Sequence, residues 1–303
     1  MRAVRYNGEY FMEFPVNPSK PNLPPVDGSY LLTCGSDKKL KLWNPITGLL
    51  LKTYGGHANE VTDAAGSCDS CHIVTASLDK SIIYWDVTTA QPLRRLRCHA
   101  GGLTCVTFNE DSSLAFSGAK DNLVMCWDIR TRKLEPIQTM NEAKDCITKI
   151  LVTEFEVVVA SLDGCIRRYD VRKGELTCDR IDVPVIDIKH TKDSKCTLAA
   201  CSDNVLRLLD NETGDILAQY RGHKADDFQV ECGILSNDSQ IISGSAEGCA
   251  VVWDLVDEKE VDRLRIGTGV VHSLALHPTK DEIVVGFRRE YQLWGAPDYE
   301  ILE

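Results

Sequence analysis

Residues 72–86 read HIVTASLDKSIIYWD. A run rich in β-branched and apolar side chains enters the polar stretch Leu78-Asp79-Lys80-Ser81, and a second such run leaves it and ends on Trp85-Asp86. Two β-forming runs joined by a short Asp-containing turn are the signature of a hairpin. The pattern repeats on both sides: LLTCGSDKKLKLWN ends on Asn44 and LAFSGAKDNLVMCWD on Asp128, so Trp43, Trp85 and Trp127 stand 42 residues apart. From Trp127 the ladder continues to Tyr169, Leu209, Trp253 and Trp294 in steps of 42, 40, 44 and 41 residues, which places all five tryptophans on it. Seven copies of one unit fill the 303 residues, so the length predicts one repeat-built body rather than two domains.

Each hairpin has β-rich neighbours. Upstream lie VTDAAG from Val61, LTCVTFN from Leu103, ITKILV from Ile147, VIDIKH from Val185, VECGIL from Val230 and VVHSLAL from Val270. Downstream lie runs such as LLLKTY from Leu49, PLRRLR from Pro92 and ILAQYR from Ile216. Four antiparallel strands per unit and no helical periodicity predict an all-β, seven-bladed β-propeller, whose radial closure limits exposed sheet edges.

Composition narrows the function classes. The formal net charge of −11 opposes binding to nucleic acid through its phosphates. No apolar run approaches the length of a transmembrane helix, and MRAVRYNGEY at the N-terminus lacks the apolar segment of a secretory signal. Thirteen cysteines, most of them inside apolar strand patterns, read as reduced thiols of a cytosolic or nuclear protein.

Short motifs add a family resemblance. Gly56-His57, Cys98-His99 and Gly222-His223 precede three of the hairpins, and Trp85-Asp86, Trp127-Asp128 and Trp253-Asp254 end them. These residues resemble the WD40 repeat family over nearly the whole chain. The resemblance implies a buried relay of His, turn carboxylate and Trp within a blade: His57 with Asp79 and Trp85, His99 with Asp121 and Trp127, and His223 with Glu247 and Trp253. A buried carboxylate needs donors, and imidazole and indole N–H supply them. Blades 4, 5 and 7 lack the Gly-His pair. Within the family, LTCGSDKKLKLWNPITG, DGCIRRYDVRKGEL and LRLLDNETGDILAQYRGHK resemble members that organise MAP kinase cascade components (the Raf–MEK–ERK kinases) and belong to spliceosomal complexes. What this implies is a non-catalytic scaffold, a monomeric propeller within larger complexes in cytoplasm and nucleus. Its partners would be kinase-cascade and spliceosomal proteins, with no cofactor, no direct nucleic-acid contact and no membrane.

Two stretches depart from the repeat. Five of the eleven prolines lie between positions 15 and 25, and a ladder does not continue through such density. Residues 8–26 therefore read as a Pro-rich insert within blade 1, either a surface loop or a retained intron whose removal would join Asn7 to Val26. A transcript junction across the segment is the check on the second alternative. Blade 7 shows strands starting near Val270, Glu282 and Glu290 but no fourth, which gives 27 strands in place of 28 and an incompletely closed last blade. An upstream strand supplied to that edge is expected to raise the melting temperature.

Catalytic signatures are absent: the sequence has no phosphate-binding GxxxxGK[ST], no GxGxxG after a strand, no HExxH and no GxSxG. Cys68-x-x-Cys71 with His72 is one half of a zinc-type spacing without a second half, and is read as a turn in blade 2. Arg168 puts a cation where other blades have Leu42, Tyr84, Cys126, Leu208 or Val252. The preferred reading is an ion pair between blades, with a carboxylate such as Asp145 or Asp187; the alternative is that Arg167, Arg172 or Arg207 reaches a face or the central channel and contacts a partner. Asp128-Ile129-Arg130 and Asp170-Val171-Arg172 resemble the box by which WD40 substrate receptors dock on the adaptor of cullin-4 ubiquitin ligases, although Asp-x-Arg also arises as a turn cap with a solvated arginine. The turns after Gly-His and their neighbours supply rim candidates: Asn59, Glu60, Lys80, Lys120 and Lys224.

Overall fold

The computed structural model describes residues 11–13, 30–45, 47–225, 230–235, 238–277, 282–287 and 290–294. Among them are 27 strands in seven antiparallel sheets. The sheets span residues 11–55, 61–96, 103–140, 147–180, 185–221, 232–265 and 271–294, in chain order blades 1 to 7. Each blade runs from its first strand at the centre to its last at the periphery. The seven first strands touch in sequence, and the first strand of blade 7, Val271–Leu276, also packs against that of blade 1, Phe11–Glu13, so the ring closes at its centre. The helix-free, seven-fold arrangement expected from the ladder is observed.

The hairpin chemistry explains the regular turns. The residue after each turn carboxylate takes a left-handed conformation: Lys38, Lys80, Asn122 and Asn204 at φ between 63° and 66°, Gly164 and Gly248 at φ 78° and 76°. Asn and Gly adopt this region readily; Lys38 and Lys80 tolerate it because the carboxylate before them caps the turn, as Asp79 Oδ1 does by accepting the Ser81 N–H at 2.9 Å. The inner strands of blades 2, 4, 5 and 7 carry a register shift one residue in, at Val61/Asp63, Ile147/Lys149, Val185/Asp187 and Val271/Ser273. A bulge at this point raises the local twist that each wedge needs.

The apolar core is divided among the clefts between blades. Six clusters fill the six clefts from blades 1/2 to blades 6/7. Trp85, Trp127 and Trp253 are each 1% exposed and pack toward the preceding blade. In blade 4 Tyr169 takes that place, and its hydroxyl donates to Glu142 at 2.8 Å.

Blade 1 departs from expectation. Its inner strand, Phe11–Glu13, lies inside the segment read as an insert and pairs with Leu31–Cys34. The ladder thus recruits the three residues just ahead of the proline run, where backbone N–H groups are still available; residues 8–10 and 14–26 lie outside the described residues. Blade 7 has three strands among the described residues, Val271–Leu276, Ile283–Phe287 and Glu290–Trp294.

Candidate functional site

Blades 2 and 3 hold the expected relay with one extra member each. His57 Nδ1 is 3.0 Å from Asp79 Oδ2, and its Nε2 is 2.7 Å from the Thr75 hydroxyl, which also accepts the Trp85 indole N–H at 2.9 Å. In blade 3 His99 bridges Asp121, at 3.0 Å, and Ser117, at 2.8 Å, and Ser117 accepts the Trp127 N–H at 2.9 Å. Imidazole and indole therefore meet through a hydroxyl and not directly. Thr75 and Ser117 were not singled out from the sequence, although a Thr or Ser ten residues before each tryptophan was visible. Burial depresses the pKa of both histidines, with Asp79 and Asp121 opposing it only in part. For Asp79 burial acts upward, but donation from Ser81 and Ala58 and the neighbouring His57 outweigh it and bring the carboxyl to about 2. Each relay is a buried, hydrogen-bonded unit within its blade.

The third expected relay does not form. Glu247 turns away from His223 and pairs with Lys224 Nζ at 2.6 Å and Arg263 at 3.4 Å on the rim. Its extra methylene carries the carboxylate past the imidazole into solvent, where two cations meet it. Trp253 N–H donates instead to the Arg221 carbonyl at 3.0 Å, and His223 stands edge-on to the indole with centroids 5.7 Å apart. His223 Nδ1 is buried without a hydrogen bond among the described residues, and burial takes its pKa to about 4.

Blades 1, 4 and 5, which have no such histidine, solve the same problem differently. Four residues after the turn aspartate, on the third strand, stands a cation: Lys41 with Asp37 at 2.7 Å, Arg167 with Asp163 at 2.7 Å, and Arg207 with Asp203 at 2.5 Å. In the His-bearing blades that position is Ile83, Met125 or Val251. In blades 1 to 5 the turn carboxylate receives either an imidazole from the preceding loop or a cation from its own blade; in blade 6 Glu247 takes Lys224 and Arg263 although His223 precedes it. This alternation was present in the aligned repeats and is the signal that sequence reasoning passed over.

It also corrects three interface candidates. Arg167 and Arg168 are each 4% exposed, and Arg207 is held against Asp203, so none is free to grip a partner. Arg168 is ion-paired, but with neither Asp145 nor Asp187. The register sets Arg168 opposite Thr177, which puts Asp179 on the same face, and Arg168 Nε donates to it at 2.9 Å; Nη2 donates across the cleft to Thr197 of blade 5 at 3.2 Å. Asp145 caps Cys146, and Asp187 accepts the Cys232 N–H at 3.1 Å.

The exposed candidates divide between two rims. Asn59, Lys80, Lys120 and Lys224 are exposed beside the carboxylate turns, with Glu60 half-buried and Lys224 engaged by Glu247. Hydrogen bonds from Ala58 N–H to Asp79 and Ser77 Oγ to the Asn59 carbonyl bring the loop and turn onto one rim. Arg130 and Arg172 are exposed on the opposite rim. Asp128 accepts the Arg130 N–H at 2.9 Å and Asp170 the Arg172 N–H at 2.9 Å, so both aspartates cap turns. The Arg172 guanidinium lies 3.7 Å above the Phe155 ring. Cys68 and Cys71 are free thiols in the turn joining the first two strands of blade 2.

Polar groups on the inner strands staple the ring. Asp63 accepts the Val106 N–H at 3.0 Å, Thr104 donates to the Ile147 carbonyl at 2.6 Å, and Glu231 accepts the Leu274 N–H at 3.0 Å; like Asp187 with Cys232, each joins one blade to the next. Lys149 of blade 4 reaches Asp63 of blade 2 at 3.3 Å.

Comparison with known proteins agrees with this architecture. A family model described as Nucleolar protein 10-like, N-terminal domain, matches residues 60–242, and one described as WD domain, G-beta repeat, matches 24–44. The chain is 52% identical to WD repeat domain-containing protein 83 of Rattus norvegicus and 50% identical to that of Homo sapiens, each over 99% of this chain and 90% of the relative. It is 31% identical to the WD repeat domain-containing protein 83 homolog of Dictyostelium discoideum, over 85% of this chain and 88% of that one.

Proposed function

This chain belongs to the WD40 repeat β-propellers, within the group named WD repeat domain-containing protein 83, and we propose that it is a non-catalytic platform holding protein partners on its rims. The observation that carries this reading is the separation of buried from exposed charge. Buried groups with catalytic potential are engaged inside blades, as His57 by Asp79 and Thr75, His99 by Asp121 and Ser117, and Arg167 by Asp163. Asn59, Lys80 and Lys120 on one rim and Arg130 and Arg172 on the other face solvent from a rigid frame. A preformed surface binds without a large ordering cost.

The resemblance supports kinases of the Raf–MEK–ERK cascade as partners in the cytoplasm and spliceosomal proteins as partners in the nucleus. Affinity purification with mass spectrometry, on each fraction separately, tests both. Cascade components are expected in the cytoplasmic eluate and splicing proteins in the nuclear one. The triple change Asn59→Arg, Lys80→Glu, Lys120→Glu is expected to lose at least one of the two sets. Eluates no richer in either set than those of an unrelated propeller would sink the assignment.

A second reading, substrate receptor of a cullin-4 ubiquitin ligase, is favoured by one feature: Arg130 and Arg172 are exposed on the same rim of adjacent blades, each after a capping aspartate. Binding to the ligase adaptor that survives Arg130→Ala with Arg172→Ala would count against it.

A further inference from the structure

The connection between the third and fourth strands of blade 3 is unlike its counterparts. It has nine residues, 129–137, where blades 1, 2, 4, 5 and 6 use four to six. Length alone would make a loop of this kind mobile, yet this one is clamped. Arg94, on the outer strand of blade 2, donates to the carbonyls of Asp128 at 3.2 Å and Ile129 at 3.1 Å and also to those of Thr131 and Lys133. The Cys98 thiol, in the connection between blades 2 and 3, donates to the Leu134 carbonyl at 3.5 Å. With its carbonyls drawn inward onto one guanidinium, the loop turns its side chains outward: Arg130, Arg132 and Lys133 are all exposed, and Leu134 and Ile137 are each 60% exposed. On the same rim of blade 4, Val171 is 66% exposed and is followed by the exposed Arg172 and Lys173. The loop 129–137 and the turn 171–174 together carry five cations against one carboxylate, Glu135, in a chain of net charge −11.

We propose that the clamped loop of blade 3 and the adjacent turn of blade 4 form one docking surface for an acidic segment of a protein partner, with aliphatic side chains set among its carboxylates. The inference rests on the platform reading and gives it a partner chemistry. Charge complementarity selects the carboxylates: Arg and Lys on a held backbone meet them without first being ordered. The exposed Leu134, Ile137 and Val171 select aliphatic groups beside them. Nucleic acid fits less well, because the aliphatic side chains offer no stacking face and the Phe155 ring is covered by Arg172. Arg94 is a positioning residue here; it contacts the loop backbone and not the partner.

The test uses the full chain. A random peptide library is panned on it, with the double variant Arg132→Glu, Lys133→Glu as counter-target, and a synthetic consensus peptide is then titrated. Selected peptides are expected to combine Asp and Glu with Leu, Ile or Val. The consensus should bind at least about 10-fold more weakly to the double variant, and the difference should shrink as salt rises. Arg94→Met keeps the five cations of the proposed surface, so a loss of affinity in that variant, with an unchanged melting temperature, reports the clamp. No acidic enrichment, equal binding to wild type and double variant, or displacement of the peptide by an RNA oligomer of equal charge would overturn the surface; unchanged affinity in Arg94→Met would overturn the clamp. If the double variant still co-purifies every partner of the wild type, this surface fails while the platform stands. If the wild type itself co-purifies none, the platform fails.

Discussion

At the scale of single residues, the contrast between His57 and His223 shows how much a buried imidazole depends on its partners. His57 satisfies Asp79 and Thr75; His223 satisfies neither Glu247 nor, through Nδ1, any described group. Replacing His57 with Phe removes one partner each from Asp79 and the Thr75 hydroxyl inside the blade, and is expected to cost about 2 kcal/mol in chemical denaturation at pH 7. His223→Phe keeps the edge-on packing against Trp253 and removes an unsatisfied nitrogen, so its cost at pH 7 should be under about 1 kcal/mol. Acid reverses the comparison. The His223 pKa is depressed from 6.5 to about 4 in the folded chain, so the unfolded chain takes up the proton first. The stability that neutral His223 confers is therefore complete above pH 6.5 and is lost as pH falls through 4, a change of about 3 kcal/mol. Melting curves between pH 7 and pH 4 should fall less steeply for His223→Phe than for the wild type.

At the scale of strands and turns, the turn carboxylate of blades 1 to 5 is met in two ways, and the choice is written in the position four residues later. Arg167 and Asp163 are nearly fully enclosed, with side chains 5% and 9% exposed. Arg167→Met, which copies Met125 of blade 3, leaves Asp163 buried without its cation and is expected to cost about 3 kcal/mol. Adding Asp163→Asn should recover more than half of that, because the amide no longer carries an uncompensated charge. A double-mutant cycle by urea denaturation measures the coupling, and additive losses would show that the pair does not act as a unit. The strand boundaries were legible to within a residue for Val61–Gly66, Ile147–Val152 and Val185–His190, because alternation and flanking turns fix them locally. The inner strand of blade 1 was not: three residues ahead of a proline run carry too little pattern, and only the gap between blades 2 and 7 selects them.

At the scale of the molecule, the ring holds itself by staples between neighbouring blades, and one of their carboxylates, Glu231, is pushed up toward neutral pH. Burial raises the pKa of Glu231 from 4.5 to about 7, with Lys149 and Lys189 acting against it and Asp187 with it. Folding favours the protonated form, so this contribution is present below pH 4.5 and is lost as pH rises through 7. Glu231→Gln keeps an acceptor for the Leu274 N–H without the charge. Its melting temperature relative to wild type should be higher at pH 8 than at pH 5; a pH-independent difference would remove Glu231 as the titrating staple.

The sequence by itself determined the number of blades, the turn chemistry and the family, because a repeat of about 42 residues writes the same local physics seven times. It also marked Arg130 and Arg172 as rim residues, since the turn that caps each aspartate is local. Only the tertiary structure decided which charges are free. Arg168 and Arg130 look alike in sequence, yet one is sealed in the cleft between blades 4 and 5 and the other faces solvent. Sheet register and the approach of the neighbouring blade fix that difference, and both are set by contacts between residues far apart in the chain. The same holds for Arg94, whose hold on the blade 3 loop spans two blades and leaves no mark on the spacing of either.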